Sequence, residues 1–279
     1  MKTIGFVDYY ISEWHANNYP VWIKKICEET GDEFVVKYAW AEEYISPVDG
    51  KNTDEWCEKF GVEKCETIEE LCQKADYIVI LAPSNPEKHL EYAQKVFPCG
   101  KLTYIDKTFA PDLETARKIY ACAEKYGVKF FSSSALRYAT ELDELKGSRA
   151  IVTTGGGASV EEYIVHQVEM AVKLAQSKAV SLRVENQDAQ YFIRVKFQDG
   201  QQATMIFASM AFAVSGQSAV GGSNYLPAQS PFFINLMKDI LRFFNTGEVS
   251  FPAWETLEVM RIRETIIKGK DKLGEWITL

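Results

Sequence analysis

An unbroken apolar run, Tyr77-Ile78-Val79-Ile80-Leu81, constrains this chain more than any other feature. A strand with one wet face alternates apolar and polar residues, whereas a strand covered by helices on both faces need not, so this run belongs inside a parallel sheet. Its surroundings agree. Strand signals at Thr3 to Val7, Glu33 to Ala39, Leu102 to Ile105 and Lys129 to Ser132 alternate with helix signals at Glu13 to Glu29, near Thr67 to Lys74, at Pro86 to Val96 and at Asp112 to Tyr126, the last closed by Gly127. That order predicts a doubly wound parallel sheet.

After about residue 135 the pattern changes. A helical stretch to Leu145, a strand Ala150 to Thr154, a Gly155-Gly156-Gly157 turn and a helix from about Val160 to Ala175 come first. Val180 to Glu185, Gln190 to Phe197 and Ala203 to Ser209 then alternate apolar and polar residues, with Asp199-Gly200 favouring a hairpin. Residues 214 to 230, rich in glycine and serine, read as a mobile loop, and helices at Pro231 to Phe244 and Trp254 to Lys268 follow. The expectation is an α/β chain: a Rossmann-like domain over residues 1–135, then an α+β domain with a mostly antiparallel open sheet over residues 136–279.

The 279 residues are 47% hydrophobic and 13% aromatic, ample for two cores. A formal net charge of −8 with scattered lysines argues against a nucleic-acid footprint or an anionic membrane surface, leaving a small-molecule partner. No apolar run reaches the roughly 20 residues of a membrane helix, and Met1-Lys2-Thr3 leads straight into a strand, so a cytoplasmic location is expected. The six cysteines show no CxxC pair and read as free thiols, and no metal site is expected.

The first strand runs into Asp8-Tyr9-Tyr10-Ile11-Ser12, where a dinucleotide fold places glycines that bring backbone amides close to a pyrophosphate. Asp8 and the two tyrosines do not supply this, and a carboxylate beside a diphosphate adds like-charge repulsion. Glu42 at the end of the second strand suits an adenosine ribose. Lys107, just past a strand, would project from the carboxyl edge of the sheet, where ligands of open α/β folds bind; a surface lysine paired with Asp106 is the plainer alternative. Glu162 and His166, at i and i+4, share a helix face opposite the apolar stripe of Val160, Ile164, Val165, Val168, Ala171 and Val172. A histidine there would exchange a proton near neutral pH with Glu162 orienting it, although Ser159 to Glu162 also reads as a capping box. Gly155 to Gly157 forms a tight turn or an anion cradle, and Arg137 meets a substrate carboxylate or phosphate, or else Glu141 one turn on.

Leu81-Ala82-Pro83-Ser84-Asn85, His89, Gly100-Lys101, Asp106-Lys107-Thr108 and Ala135-Leu136-Arg137-Tyr138 resemble the strand-end Thr-Pro-Asn, downstream histidine, Gly-Lys and Glu-Lys-Pro signatures of the Gfo/Idh/MocA oxidoreductases. Phe232 to Leu279 is similar to that family's C-terminus. The resemblance implies an NAD- or NADP-dependent dehydrogenase of a sugar, polyol or cyclitol, with Lys107 as the motif lysine, His166 as the helix histidine and Glu162 in place of an aspartate. By position, Asp8, Tyr9, Tyr10, Ile11, Glu42, Pro83, Ser84, Asn85 and Asp106 would line the cofactor and Arg137 the substrate. The family's proline, often in a cis bond, is Thr108 here. His15 resembles the histidine after the family's glycine loop, or packs beside Trp14. Two alternatives stay open: a non-catalytic relative that binds a ligand or assembles with partners, and an enzyme that abstracts protons without a nicotinamide. A homodimer or higher homo-oligomer through the open sheet face around residues 180 to 209 is expected.

Overall fold

The computed structural model describes residues 1–217 and 223–279. It divides into two compact units, Met1–Ser133 with Met237–Ser250, and Ser134–Leu236 with Phe251–Leu279.

In the first unit β1 (Lys2–Asp8), α1 (Trp14–Thr30), β2 (Phe34–Ala41), α2 (Thr53–Phe60), β3 (Glu63–Lys64), α3 (Ile68–Lys74), β4 (Tyr77–Ile80), α4 (His89–Val96), β5 (Thr103–Ile105), α5 (Leu113–Tyr126) and β6 (Phe130–Ser132) follow in chain order. The six strands pair in parallel in the order β3-β2-β1-β4-β5-β6, the doubly wound topology expected from the alternation. The helix starts are marked chemically. Asn52, Thr67 and Asp112 cap α2, α3 and α5 by accepting an amide hydrogen bond from the residue three further on. Gly5 lets α3 lie close on the sheet, because a Cβ there would sit 2.5 Å from Leu71 Cδ2. Helix α2 and strand β3 are announced by no strong periodicity; buried Trp56, whose ring lies 6.3 Å from that of Phe6, holds α2, and β3 pairs in parallel with β2.

The second unit contains β7 (Ala150–Gly155), α6 (Val160–Ala175), β8 (Ala179–Gln187), β9 (Gln190–Phe197), β10 (Gln202–Phe207), β11 (Ala213–Gln217) and β12 (Ser223–Pro227). Helix α7 (Phe232–Thr246) begins in this unit and ends in the first, and α8 (Ala253–Gly269) and β13 (Trp276–Thr278) complete the chain. The sheet runs β12-β11-β7-β10-β9-β8-β13, antiparallel except for the β7–β10 pair. Its core joins Ile193, Val195 and Phe197 of β9 to Ile164, Val168 and Val172 of α6 and to Val259, Ile262 and Ile266 of α8. The loop expected over residues 214 to 230 is corrected on both flanks: Ala213–Gln217 pairs antiparallel with β7 and with Ser223–Pro227. Small residues read as loop when taken alone, but the free edge of β7 offers them a ladder of backbone partners. Residues 218–222 of that expectation lie outside the described residues. Among the described residues no helix is long and apolar enough to cross a membrane.

Candidate active site

Strand β5 ends at Ile105, so Asp106 and Lys107 stand at the carboxyl edge of the parallel sheet. Asp106 is fully buried. Its Oδ2 pairs with His15 Nδ1 from the first turn of α1 and accepts the Tyr19 hydroxyl at 3.2 Å, while Oδ1 accepts the Lys107 amide at 2.7 Å and the Tyr104 hydroxyl at 3.4 Å. Burial pushes this carboxyl up, but His15, Lys107 and the amide together outweigh it and hold Asp106 below the usual carboxylate range. The Lys107–Thr108 peptide is cis although residue 108 is not proline. Lys107 is buried, and its Nζ lies 3.5 Å from the Pro83 carbonyl oxygen in the loop after β4. Asp106 thus binds the backbone of Lys107 rather than its ammonium, which differs from the paired surface lysine weighed from sequence.

The turn after β1 is built from acids. Glu13 is the N-cap of α1, and its carboxylate accepts the amides of His15, at 2.8 Å, and Ala16. Asp8 Oδ1 accepts the amides of Tyr9 at 2.7 Å and Ala82 at 2.9 Å, the latter in a left-handed residue with φ of 57°. Asp8 Oδ2 is buried without a hydrogen-bond partner. Burial and the neighbouring Glu13 push Asp8 well above its ordinary range, and burial raises Glu13 as well. Ile11 is 2% exposed and packs inward, and the Ser12 hydroxyl donates to Asp49. Asp8, Ile11 and Asp106, expected to line a cofactor, therefore face the protein's own interior, because backbone amides and His15 claim the two carboxyls and the core claims Ile11. Tyr9 and Tyr10 are half-buried with ring centroids 5.8 Å apart.

These residues do not fit a pyrophosphate in its usual place. The amides at the start of α1 that would receive it already carry a carboxylate, and no glycine opens the turn. The residue expected at the ribose, Glu42, makes an ion pair with Lys88 at 2.5 Å and accepts the Tyr92 hydroxyl at 2.8 Å, which with burial considered leaves it below its ordinary range. Ser84 is exposed, and the Asn85 side chain donates to Glu87 at 3.0 Å. His89, fully buried, lies between the carbonyls of Leu81 and Phe109 and joins the two loops that follow β4 and β5.

In the second unit His166 is half-buried on α6, and its Nδ1 lies 2.7 Å from the Ser134 hydroxyl, with the rings of Tyr163 and Phe212 within 5.7 and 5.5 Å. Ser159 caps α6 by accepting the Glu162 amide at 3.2 Å, and Glu162 is half-buried one turn before His166. The three glycines before this helix serve packing: a Cβ on Gly156 would sit 1.9 Å from the Ala208 carbonyl oxygen and one on Gly157 2.0 Å from the Tyr163 ring. That favours the tight turn over the anion cradle. Arg137 is 6% exposed and pairs with Glu169 at 2.9 Å and with Glu255, its guanidinium 3.8 Å from the Phe251 ring centroid. The expected partner is corrected here, since Glu141 instead accepts from the amides of Gln229 and Ser230. The Arg137 guanidinium is shared by two buried carboxylates. His15 has a local partner in Tyr19 one turn on, whose hydroxyl lies 3.1 Å from Nδ1, but Asp106 and, for His166, Ser134 had no local signal: 91 and 32 residues separate these pairs.

The fold is a doubly wound parallel sheet followed by a unit built on a mixed sheet. Residues 43–134 match the model of the Gfo/Idh/MocA family, described as an oxidoreductase family with an NAD-binding Rossmann fold, which bears out the resemblance carried by Leu81 to Thr108. No curated protein matches the chain. Among solved structures it is similar to scyllo-inositol dehydrogenase from Lactobacillus casei with bound NAD(H) and scyllo-inositol, at 12% identity and a TM-score of 0.77 over 100% of this chain and 99% of that one. UDP-N-acetylglucosamine 3-dehydrogenase from Acidithiobacillus ferrooxidans gives 11% and 0.78 over 96% and 97%. An NAD binding oxidoreductase from Klebsiella pneumoniae gives 12% and 0.77 over 99% and 98%. At such identities the likeness speaks for the fold.

Proposed function

We propose that this protein is an oxidoreductase acting on a hydroxyl of a sugar, polyol or cyclitol, with Lys107 and His166 as its proton-handling groups. The observation that carries the reading is Lys107: a buried lysine at the carboxyl edge of a doubly wound sheet, inside the stretch that matches the oxidoreductase family. Oxidation of a hydroxyl releases its proton to a base within hydrogen-bonding reach, and a lysine or a histidine supplies one. Asp106 fixes the backbone of Lys107 through its amide, and the Ser134 hydroxyl lies against Nδ1 of His166, which orients the ring. Glu162, one turn before His166, would orient it. Family and neighbours support a nicotinamide carrier, NAD or NADP, in general terms, and favour catalysis over a non-catalytic relative. The first turn gives that carrier no ordinary phosphate seat, so the reading rests on the proton-handling residues.

The test is a panel of inositols, hexoses, sugar acids and nucleotide sugars, each incubated with NAD or NADP and with artificial electron acceptors. Turnover of at least one polyhydroxylated substrate that disappears in Lys107→Met is expected. Absence of turnover across all acceptors, in protein shown to be folded, overturns the reading.

A further inference from the structure

Every doubly wound nucleotide site depends on the free amides at the start of its first helix, and here those amides are taken. The Glu13 carboxylate accepts both His15 N–H and Ala16 N–H, and the residue is only 6% exposed. It is therefore a built part of the interior and not a surface side chain resting by chance on a helix end. The next donors along the edge, the amides of Tyr9 and Ala82, are held in the same way by Asp8 Oδ1. Asp8 is 1% exposed, and its second oxygen has no partner. The two acids thus occupy four backbone donors, two each, three of them in the turn after β1 and the fourth, Ala82, in the loop after β4.

We propose that Glu13 is an internal stand-in for a ligand phosphate: it closes the N-terminus of α1, so that no dinucleotide binds this protein through a pyrophosphate on those amides. The chemistry supports substitution rather than simple loss. A carboxylate and a phosphate both satisfy unpaired amides and the partial positive charge of a helix start, so a phosphate arriving there must displace a partner of equal kind. It must do so beside Asp8 and Asp106, whose charge opposes it when ionised. A carrier used by the enzyme is then held by other contacts or is not a dinucleotide. The inference stands on the geometry of this turn and does not need the oxidoreductase reading to be correct.

The decisive probe is ADP-ribose, which carries the pyrophosphate and lacks nicotinamide. In 15N-labelled wild-type protein, the amide signals of His15 and Ala16 should stay in place when ADP-ribose is added to millimolar concentration. In Glu13→Ser, which keeps a side chain able to cap the helix, the same titration should shift those signals and tighten binding at least tenfold by calorimetry. Wild-type protein that binds ADP-ribose in the micromolar range with movement of both signals overturns the proposal. So does a folded Glu13→Ser variant that binds no better than wild type. If that variant fails to fold, the wild-type titration still decides. Turnover of polyols is read separately: its absence with every acceptor removes the oxidoreductase reading and leaves this inference untouched, while micromolar pyrophosphate binding in an active enzyme does the reverse.

Discussion

Replacing Asp8 by Asn separates the charge of this carboxyl from its hydrogen bonds. Asn Oδ1 can keep both amides that Asp8 Oδ1 accepts, from Tyr9 and Ala82, while its NH2 group enters the place of an oxygen that has no partner. A buried donor left unmet costs about 1–3 kcal/mol, but the protonated acid carries a similar O–H, so this term largely cancels at low pH. The pH-dependent term does not cancel. Burial and Glu13 raise Asp8 in the folded state, so above the ordinary aspartate pKa near 3.9 the unfolded chain gives up this proton while the folded chain keeps it. A raised acid therefore removes stability as pH rises, by up to about 1.4 kcal/mol per pH unit, until its folded pKa is passed. Asn has no proton to lose. Urea unfolding of both proteins from pH 4.5 to 8, with equal m values as a check, should show Asp8→Asn gaining on the wild type as pH rises, until the folded-state pKa of Asp8 is passed and the difference levels off. A difference that stays constant, or moves toward the wild type, refutes the account of Asp8 as a carboxyl strained by burial.

Lys107→Met and His166→Asn should each lower turnover of a competent substrate by about a hundredfold or more, typical of lost acid–base catalysis, with melting temperatures near wild type; a folded variant of undiminished activity assigns that residue to structure. Arg137→Met leaves Glu169 and Glu255 buried without their cation and should cost about 3–5 kcal/mol in urea unfolding; a cost below about 1 kcal/mol would show that the carboxylates find water. The sheet of the second unit buries Ile193, Val195 and Phe197 and leaves Arg194 and Lys196 exposed, and the prediction from its open side is a homo-oligomer, most simply a dimer. Light scattering at micromolar concentration that returns the monomer mass rejects it.

Most of the fold was legible because the forces that build it are local in sequence. The apolar run at Tyr77 to Leu81 marked a strand covered on both faces, Gly127 marked a helix end, and the stripe on α6 marked its buried side, each within a few residues. Strands β11 and β12 were not legible, since β11 forms on the edge of β7 about 60 residues earlier and β12 in turn on β11. The site divides in the same way. Asp106 and Lys107 follow from their position after a strand, and the absence of glycine after β1 was plain. That Glu13 turns back onto α1, that Asp106 meets His15, and that Arg137 chooses Glu169 and Glu255 over Glu141 are facts of three-dimensional proximity that no spacing rule encodes.

Helix α7 carries Phe243 and Phe244 into the first unit, where Phe244 stacks on Tyr77 at 4.7 Å and lies 6.4 Å from Phe34, and Phe243 meets Phe131 at 5.2 Å. The nucleotide-type unit is therefore not a beginning that can be finished first. While the chain is being made, its six strands all precede residue 135, yet three of their aromatic side chains wait for partners encoded more than a hundred residues later. The last part of that core is sealed only after β7 to β12 of the second unit have been synthesised. A chain cut short before α7 would carry an open aromatic patch in its place.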